Sequence, residues 1–286
     1  AYKAAGSRLD KPESGEKNSY HLTLLAQNYR GYKNLMKLAT YAQLEGFYYK
    51  PRLDFELLEK YAEGIICLSG CMNGEIPQAI RNNQLKKAEK LVLKYKSIFK
   101  ENFYLEIQRI PGMEELEEMN KHLIAFSRTH NIPLVATADV HYINKDDAYA
   151  QDILVCIQTS TNVYDDSRMS MLDTPEFYLK SEEEMRDLFR DLPEAIDNTQ
   201  RIADSVNIEI PYGKAIFPKY PLPKGKTAEE HLKEMTFEKA AKRITITDEA
   251  QKRLDYELQI ICSKGFATYF LVVQDFINWA KTHDVG

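Results

Sequence analysis

From Tyr20 onward the chain alternates short apolar runs with longer stretches in which apolar residues recur every three or four positions. HLTLLA (His21–Ala26) is a short apolar run. Gly31–Leu44 then carries Leu35, Leu38, Ala39 and Ala42 at helical spacing, with Gly46 placed to end the helix as its C′ residue. Asp54 is positioned to cap FELLEKYAEG, and Gly64 to close it. IICLS (Ile65–Ser69) predicts a buried strand, and Gly74–Arg81 a helical stretch. Leu85–Phe99 predicts a lysine-rich amphipathic helix, FYLEIQ (Phe103–Gln108) a strand, and Glu114–Thr129 another helix. PLVATA (Pro133–Ala138) predicts a further strand, and Asp146–Ile157 the helix after it. Ser181 with Glu184 three residues on forms a capping-box signature, which is a structural signal and not a functional one.

Strands and helices taking turns in this way predict an α/β fold with a parallel sheet covered by helices. Successive βα units suit an open doubly wound sheet or a barrel. No GxGxxG or GxxxxGK[ST] follows any of the strands, which favours a barrel or partial barrel over a nucleotide-binding open sheet. The character changes at YGKAIFPKYPLPKGK (Tyr212–Lys226), where three prolines lie between Gly213 and Gly225 and predict an extended linker. Beyond it, Thr227–Arg243 and Asp248–Lys264 read as helices, the second closed by Gly265. Tyr269–Lys281 (YFLVVQDFINWAK) is rich in aromatics, but its spacing predicts a packing face before a base-stacking platform. A domain boundary is expected near Pro223.

The 286 residues suffice for one large domain, or one domain and part of another. A net charge of −5 makes the whole surface no magnet for nucleic acid, though a local basic groove stays compatible with it. The four cysteines, Cys67, Cys71, Cys156 and Cys262, have no framework spacing and no CxxC, so reduced thiols of a cytoplasmic protein are expected. No apolar run reaches the about 18 residues of a membrane span, and the polar first residues lack a secretory core. The chain opens on Ala1 and stops on Gly286 straight after an amphipathic segment, which suggests a fragment.

Asp139-Val140-His141 is the sharpest chemical signal, directly after the PLVATA strand. If the strand runs on through it, the two-residue period puts both side chains on one face at a carboxyl end, where sites in parallel sheets are built. Asp with His suits Zn²⁺, Mn²⁺ or Fe. An equally admissible reading is a turn Asp beside a surface His. Cys71 follows the IICLS strand at another carboxyl end, as a metal ligand or a bystander, whereas Cys67 inside the strand reads as a small core residue. His21 begins an apolar run instead of ending one, and local pattern makes it structural. Glu106 is a carboxylate inside an apolar strand, open to a supporting role at a site or to an edge-strand position. His122, His130, His231 and His283 read as surface residues, and no GxSxG or HExxH is present.

Taken together, YHLTLLAQNYRGYKNLMKLATYAQLEGFYYKPRLD, GIICLSGCMNGEIPQAI, NFYLEIQ, PLVATADVHYINKDDAYAQDIL and EFYLKSEEEM resemble the PHP domain of bacterial DNA polymerase III alpha subunits. PYGKAIFPKYPLPKGKTAEEHL resembles the crossing into the polymerase, and GFATYFLVVQDFINWAKTHDVG the start of its palm. The resemblance implies a partial PHP-type distorted (β/α)7 barrel over residues 1–222, lacking its N-terminal strands. A linker and the first palm helices would follow over residues 223–286. It also implies that His21, Cys71, Asp139 and His141 hold ligand positions in a cluster of up to three metals, the other ligands lying upstream. This replaces the structural reading of His21. Arg109-Ile110 stands where relatives often carry a His. In the family the PHP site is either a metal-dependent 3′–5′ exonuclease or a degenerate, metal-free scaffold that docks a separate proofreading exonuclease. Ligand-competent residues at all four positions favour an intact site. The palm's magnesium-binding aspartates fall outside the chain, so no catalytic residue of the polymerase is expected in it. The partners implied are template-primer DNA, dNTPs, a sliding clamp, a clamp loader and, with a degenerate site, the proofreading subunit. A stand-alone PHP phosphoesterase is the competing reading, and it leaves the segment after Pro223 unexplained.

Overall fold

The computed structural model describes residues 1–12, 18–213 and 217–285. They form two compact units, Ala1–Ile210 and Pro211–Gly286. The first contains, in order, β1 (Tyr2–Ala4), β2 (Ser19–His21), β3 (Thr23–Ala26), α1 (Tyr29–Leu44), β4 (Phe47–Tyr48), β5 (Lys50–Leu53), α2 (Phe55–Tyr61), β6 (Ile65–Leu68), α3 (Glu75–Arg81) and α4 (Leu85–Phe99). It continues with β7 (Phe103–Gln108), α5 (Glu114–His130), β8 (Leu134–Thr137), α6 (Ala148–Thr159), α7 (Glu182–Leu188) and α8 (Pro193–Ser205). The second unit contains α9 (Ala228–Ala241), α10 (Asp248–Ser263) and α11 (Ala267–Thr282).

The fold is mixed α/β. Its strands pair into two four-stranded sheets, ordered β2-β1-β5-β4 and β3-β6-β7-β8. In the second sheet β6, β7 and β8 run parallel, while β3 lies antiparallel along the β6 edge. The wholly parallel sheet expected from the sequence is thus corrected at β3. The strand β2 and the strand β3 are almost continuous, separated only by Leu22, whose N–H donates to the Ala1 carbonyl at 3.0 Å. One extended run therefore passes from the first sheet into the second, and His21 sits at the corner. The short strands β1, β2, β4 and β5 have no counterpart among the elements expected from the sequence, because two to four residues are too few to set up a period. Helix α8 was likewise not anticipated.

The continuous apolar runs of the second sheet follow from burial on both faces. Ile65, Cys67, Leu105, Ile107, Leu134 and Ala136 enter the main core with Leu38, Leu58, Ile76, Val92 and Leu123 of the helices. Ile66, Leu68 and Val135 point the other way and pack with Ile202 of α8. Asn198 of α8 fastens that layer by donating from Nδ2 to the Leu134 carbonyl at 2.7 Å.

Local signals act much as their chemistry predicts. Asp54 caps α2, its Oδ1 accepting from the Leu57 N–H at 3.2 Å. Ser181 and Glu184 form the capping box of α7, and Thr227 and Glu230 that of α9. Gly46 follows the cap residue Glu45 but does not adopt a left-handed φ. Its need for glycine is spatial: a Cβ there would meet the Arg52 carbonyl oxygen at 1.9 Å. In the second unit Leu232, Leu258, Ala267 and Leu271 make a small core. Only part of the expected packing face on α11 is covered, since Phe276, Ile277 and Trp279 are exposed. Among the described residues no single helix is long and apolar enough to cross a membrane.

Candidate metal centre

The carboxyl ends of β6, β7 and β8 and the corner between β2 and β3 meet around a cleft of about 360 Å³. His21, Cys71, Glu106 and Asp139 line it, with Thr23, Gln108 and Thr137 between them. The corner delivers His21, whose backbone N–H donates to the Asn73 carbonyl at 2.9 Å. That bond ties it to the turn after β6, which carries Cys71. Gly70 opens the turn at φ +86, and a Cβ on it would meet the His21 carbonyl oxygen at 2.7 Å. Glycine is therefore required twice over, for the left-handed backbone and for the close approach. The outcome is a separation of 3.5 Å between Cys71 Sγ and His21 Nδ1.

Asp139 reaches the cleft by a different route from the expected one. Strand β8 ends at Thr137, and Asp139 takes a left-handed φ of 49. Strand alternation therefore does not orient Asp139 and His141. Aspartate is among the few non-glycine residues that adopt this backbone readily. The turn nevertheless brings Asp139 Oδ1 and His141 Nε2 to 3.7 Å. His141 is not among the residues lining the cleft. It is held from the other side, its N–H donating to the Phe177 carbonyl at 2.8 Å and its ring meeting the Phe177 ring edge-on at 5.6 Å.

The electrostatics are those of an acidic hollow. Burial pushes the Glu106 carboxyl above its usual range; the Thr137 and Gly70 hydrogen bonds oppose this, and the Asp139 charge adds to it. Burial also raises the Cys71 thiol, with the Asp139 and Glu106 carboxylates adding to the effect and the Asn73 N–H opposing it. A cation in the hollow would reverse the second shift, since it stabilises a thiolate directly.

Sulfur, imidazole and carboxylate together suit Zn²⁺, Mn²⁺ or Fe. With Zn–S of about 2.3 Å and Zn–N of about 2.05 Å, two ligands of a tetrahedral ion stand about 3.6 Å apart. The 3.5 Å between Cys71 and His21 matches one edge of such a site, and equally suits a thiol–imidazole hydrogen bond. Among the described residues no group of three or more His, Cys, Asp and Glu side chains is arranged to hold a metal ion. The donors fit a divalent metal in kind, and they stand as two pairs.

Other sequence expectations resolve simply. Cys67 is fully buried core, and burial drives its thiol far up. His130 is half-buried and not a free surface residue, with Nε2 at 2.9 Å from Glu89 of α4. Arg109 closes onto Asp191 and the Leu188 carbonyl and so takes a structural part. Sequence pattern alone missed His21, because the bend that makes it a rim residue lies between two strands too short to be seen.

The chain is similar to known proteins along its whole length. Residues 4–110 match the model of the PHP domain, and residues 230–286 that of the bacterial DNA polymerase III alpha NTPase domain. The chain is 45% identical over 289 residues to the DNA polymerase III subunit alpha of Borreliella burgdorferi, covering 100% of this chain and 25% of that protein. It is 42% identical over 288 residues to the Treponema pallidum subunit, covering 99% and 24%. For the Aquifex aeolicus subunit the identity is 40% over 305 residues, covering 100% and 26%. The chain thus spans about a quarter of the length of these relatives.

Proposed function

We propose that this chain belongs to the family of bacterial DNA polymerase III alpha subunits and is the PHP-type domain and polymerase opening of a replicative DNA-directed DNA polymerase. The observation that carries the proposal is the similarity over 100% of the chain at 45% identity, across both matched domains. Residues 1–222 are assigned to the PHP domain, with the two sheets as arcs of its distorted barrel. Residues 223–286 are assigned to the linker and first palm helices. Nucleotidyl transfer, in this reading, uses magnesium held by palm carboxylates elsewhere in the subunit. Template-primer DNA, dNTPs, the sliding clamp and the clamp loader are its partners, and the cytoplasm its compartment.

In the PHP domain His21, Cys71, Asp139 and His141 are assigned as metal ligands, completed by donors from other parts of the subunit. Zinc, manganese or iron bound there would supply Lewis-acid chemistry for 3′–5′ cleavage of a phosphodiester. The chain's own residues prepare the site. The β2–β3 corner presents the imidazole, the Gly70 turn presents the thiol beside it, and the left-handed Asp139 directs a carboxylate into the same cleft. The alternative is a metal-free scaffold for a separate proofreading exonuclease.

Exonuclease and primer-extension assays on the full-length subunit separate the two. The metal-site reading expects 3′–5′ degradation that depends on added Mn²⁺ or Zn²⁺. Primer extension without such degradation, together with less than one metal per chain, would leave only the scaffold. Absence of primer extension would count against the polymerase assignment itself.

A further inference from the structure

A single carboxylate joins the three segments that carry His21, Cys71 and Asp139. Glu106, on β7, is only 6% exposed. Its Oε2 accepts from the Gly70 N–H at 3.1 Å and from Thr23 Oγ1 at 3.4 Å. Its Oε1 accepts from Thr137 Oγ1 at 2.7 Å and from Gln108 Nε2 at 3.2 Å. Gly70 immediately precedes Cys71, Thr23 lies two residues beyond His21, and Thr137 two residues before Asp139. The Glu106 backbone joins in, its N–H donating to Ser69 Oγ at 2.9 Å.

Each carboxylate oxygen thus already accepts two hydrogen bonds, and among the described residues no cationic side chain forms a salt bridge with it. A carboxylate so occupied is poorly free to ligate. It is well placed to fix whatever its donors are attached to, as outer partners of metal ligands do. The Gly70 bond has the greatest leverage, because Gly70 also packs against the His21 backbone and any shift of the turn alters the Cys71–His21 spacing.

We infer that Glu106 is a positioning residue, which sets the mutual placement of His21, Cys71 and Asp139 through Gly70, Thr23 and Thr137 without binding the metal itself. The inference rests on the metal-site reading above. Glu106→Gln keeps the volume but brings an NH2 group against at least one of the four donors.

The test uses the full-length subunit with Co²⁺ as probe, because thiolate ligation of cobalt gives a charge-transfer absorption. In Glu106→Gln, Co²⁺ affinity is expected to fall about 10- to 100-fold with loss of the thiolate band, while the subunit still folds cooperatively and primer extension stays near wild type. Equal affinity and an equal band in variant and wild type would overturn the inference. A wild type that binds no Co²⁺ would sink the metal reading instead. The positioning claim would then be judged by iodoacetamide labelling of Cys71, located by peptide mass. In the metal-free variant labelling should be at least about fivefold faster as the turn loosens, and an unchanged rate overturns the claim. Should Glu106→Gln fail to fold, Thr137→Val removes one of the four donors, together with an acceptor of Gln108 Nε2, and is expected to weaken Co²⁺ binding about three- to tenfold. Unchanged binding there overturns the inference as well.

Discussion

Cys71 Sγ lies 3.5 Å from His21 Nδ1, although 50 residues separate them in the chain. Two folding events produce that contact: the β2–β3 corner at Leu22, and a turn that only glycine can open at position 70. If the pair is one edge of a metal site, metal and folding are linked. Zinc at 100 times its dissociation constant should stabilise the full-length wild type by about 2.7 kcal/mol. Cys71→Ser should lose most of that gain while unfolding normally without zinc. Calorimetry with and without zinc reads both, and an identical gain in the variant would remove Cys71 from the ligand set.

Asp139 occupies a left-handed backbone position and so carries local strain as well as charge. Asp139→Ala in the full-length subunit should lower metal content and stability while primer extension largely survives. Equal loss of metal content and primer extension would point to misfolding. Asp139→Gly separates the two effects, since it relieves the backbone and removes the carboxylate. It should be more stable than the alanine variant by about 1 kcal/mol and no better at binding metal.

The helix cap at Asp54 doubles as the partner of a nearly buried Arg8, whose Nη1 lies 3.1 Å from Oδ2. Burial works against ionisation of Asp54, but the Arg8 and Leu57 N–H groups and the Arg8 guanidinium prevail and hold its carboxyl below the usual range. Because the folded-state pKa is depressed, this stabilisation is fully present above the unfolded value of 3.8 and is lost as pH falls through the lower folded value. Asp54→Asn keeps a cap-competent side chain and loses the charge. It should cost about 2 kcal/mol at neutral pH, and the gap to wild type should shrink below the unfolded pKa. Urea melts across acid pH check this; a pH-independent gap would contradict it.

Inside the first unit, Lys3 Nζ and Glu75 Oε1 are 2.9 Å apart and almost wholly buried, with the Tyr95 hydroxyl donating to Glu75 at 3.3 Å. Lys3→Met leaves a buried carboxylate without its cation and should cost about 3–5 kcal/mol. Adding Glu75→Leu removes the stranded charge and should recover part of that loss. A double variant less stable than the single one would contradict the stranded charge as the source of the loss.

The α/β class, the main strands and most helix ends were legible in the sequence, because those segments are long enough to show a period or carry a cap. Strand β6 and strand β8 announced themselves as unbroken apolar runs since both faces of their sheet are covered, by the main core and by Ile202 of α8. The short strands of the first sheet were not legible: three residues at Tyr2–Ala4 or two at Phe47–Tyr48 carry no pattern. The antiparallel placement of β3 was hidden for another reason: the apolar run HLTLLA marks a strand but carries no signal of its direction. At the site, Cys71 and Asp139 were visible as polar residues just past apolar strands. His21 was visible only through family resemblance. The role of Glu106 needed the structure, because its four donors come from Thr23, Gly70, Gln108 and Thr137, and three of those lie more than 30 residues away in the chain.

X-ray absorption at the zinc edge of the zinc-loaded full-length subunit examines the site at its most specific point. A sulfur neighbour at about 2.3 Å, absent in Cys71→Ser, is the predicted result, with the remaining neighbours nitrogen or oxygen at about 2.0–2.2 Å. A coordination shell of nitrogen and oxygen alone in the wild type, or a sulfur signal that persists in Cys71→Ser, would contradict the assignment of His21 and Cys71 as one edge of a metal site.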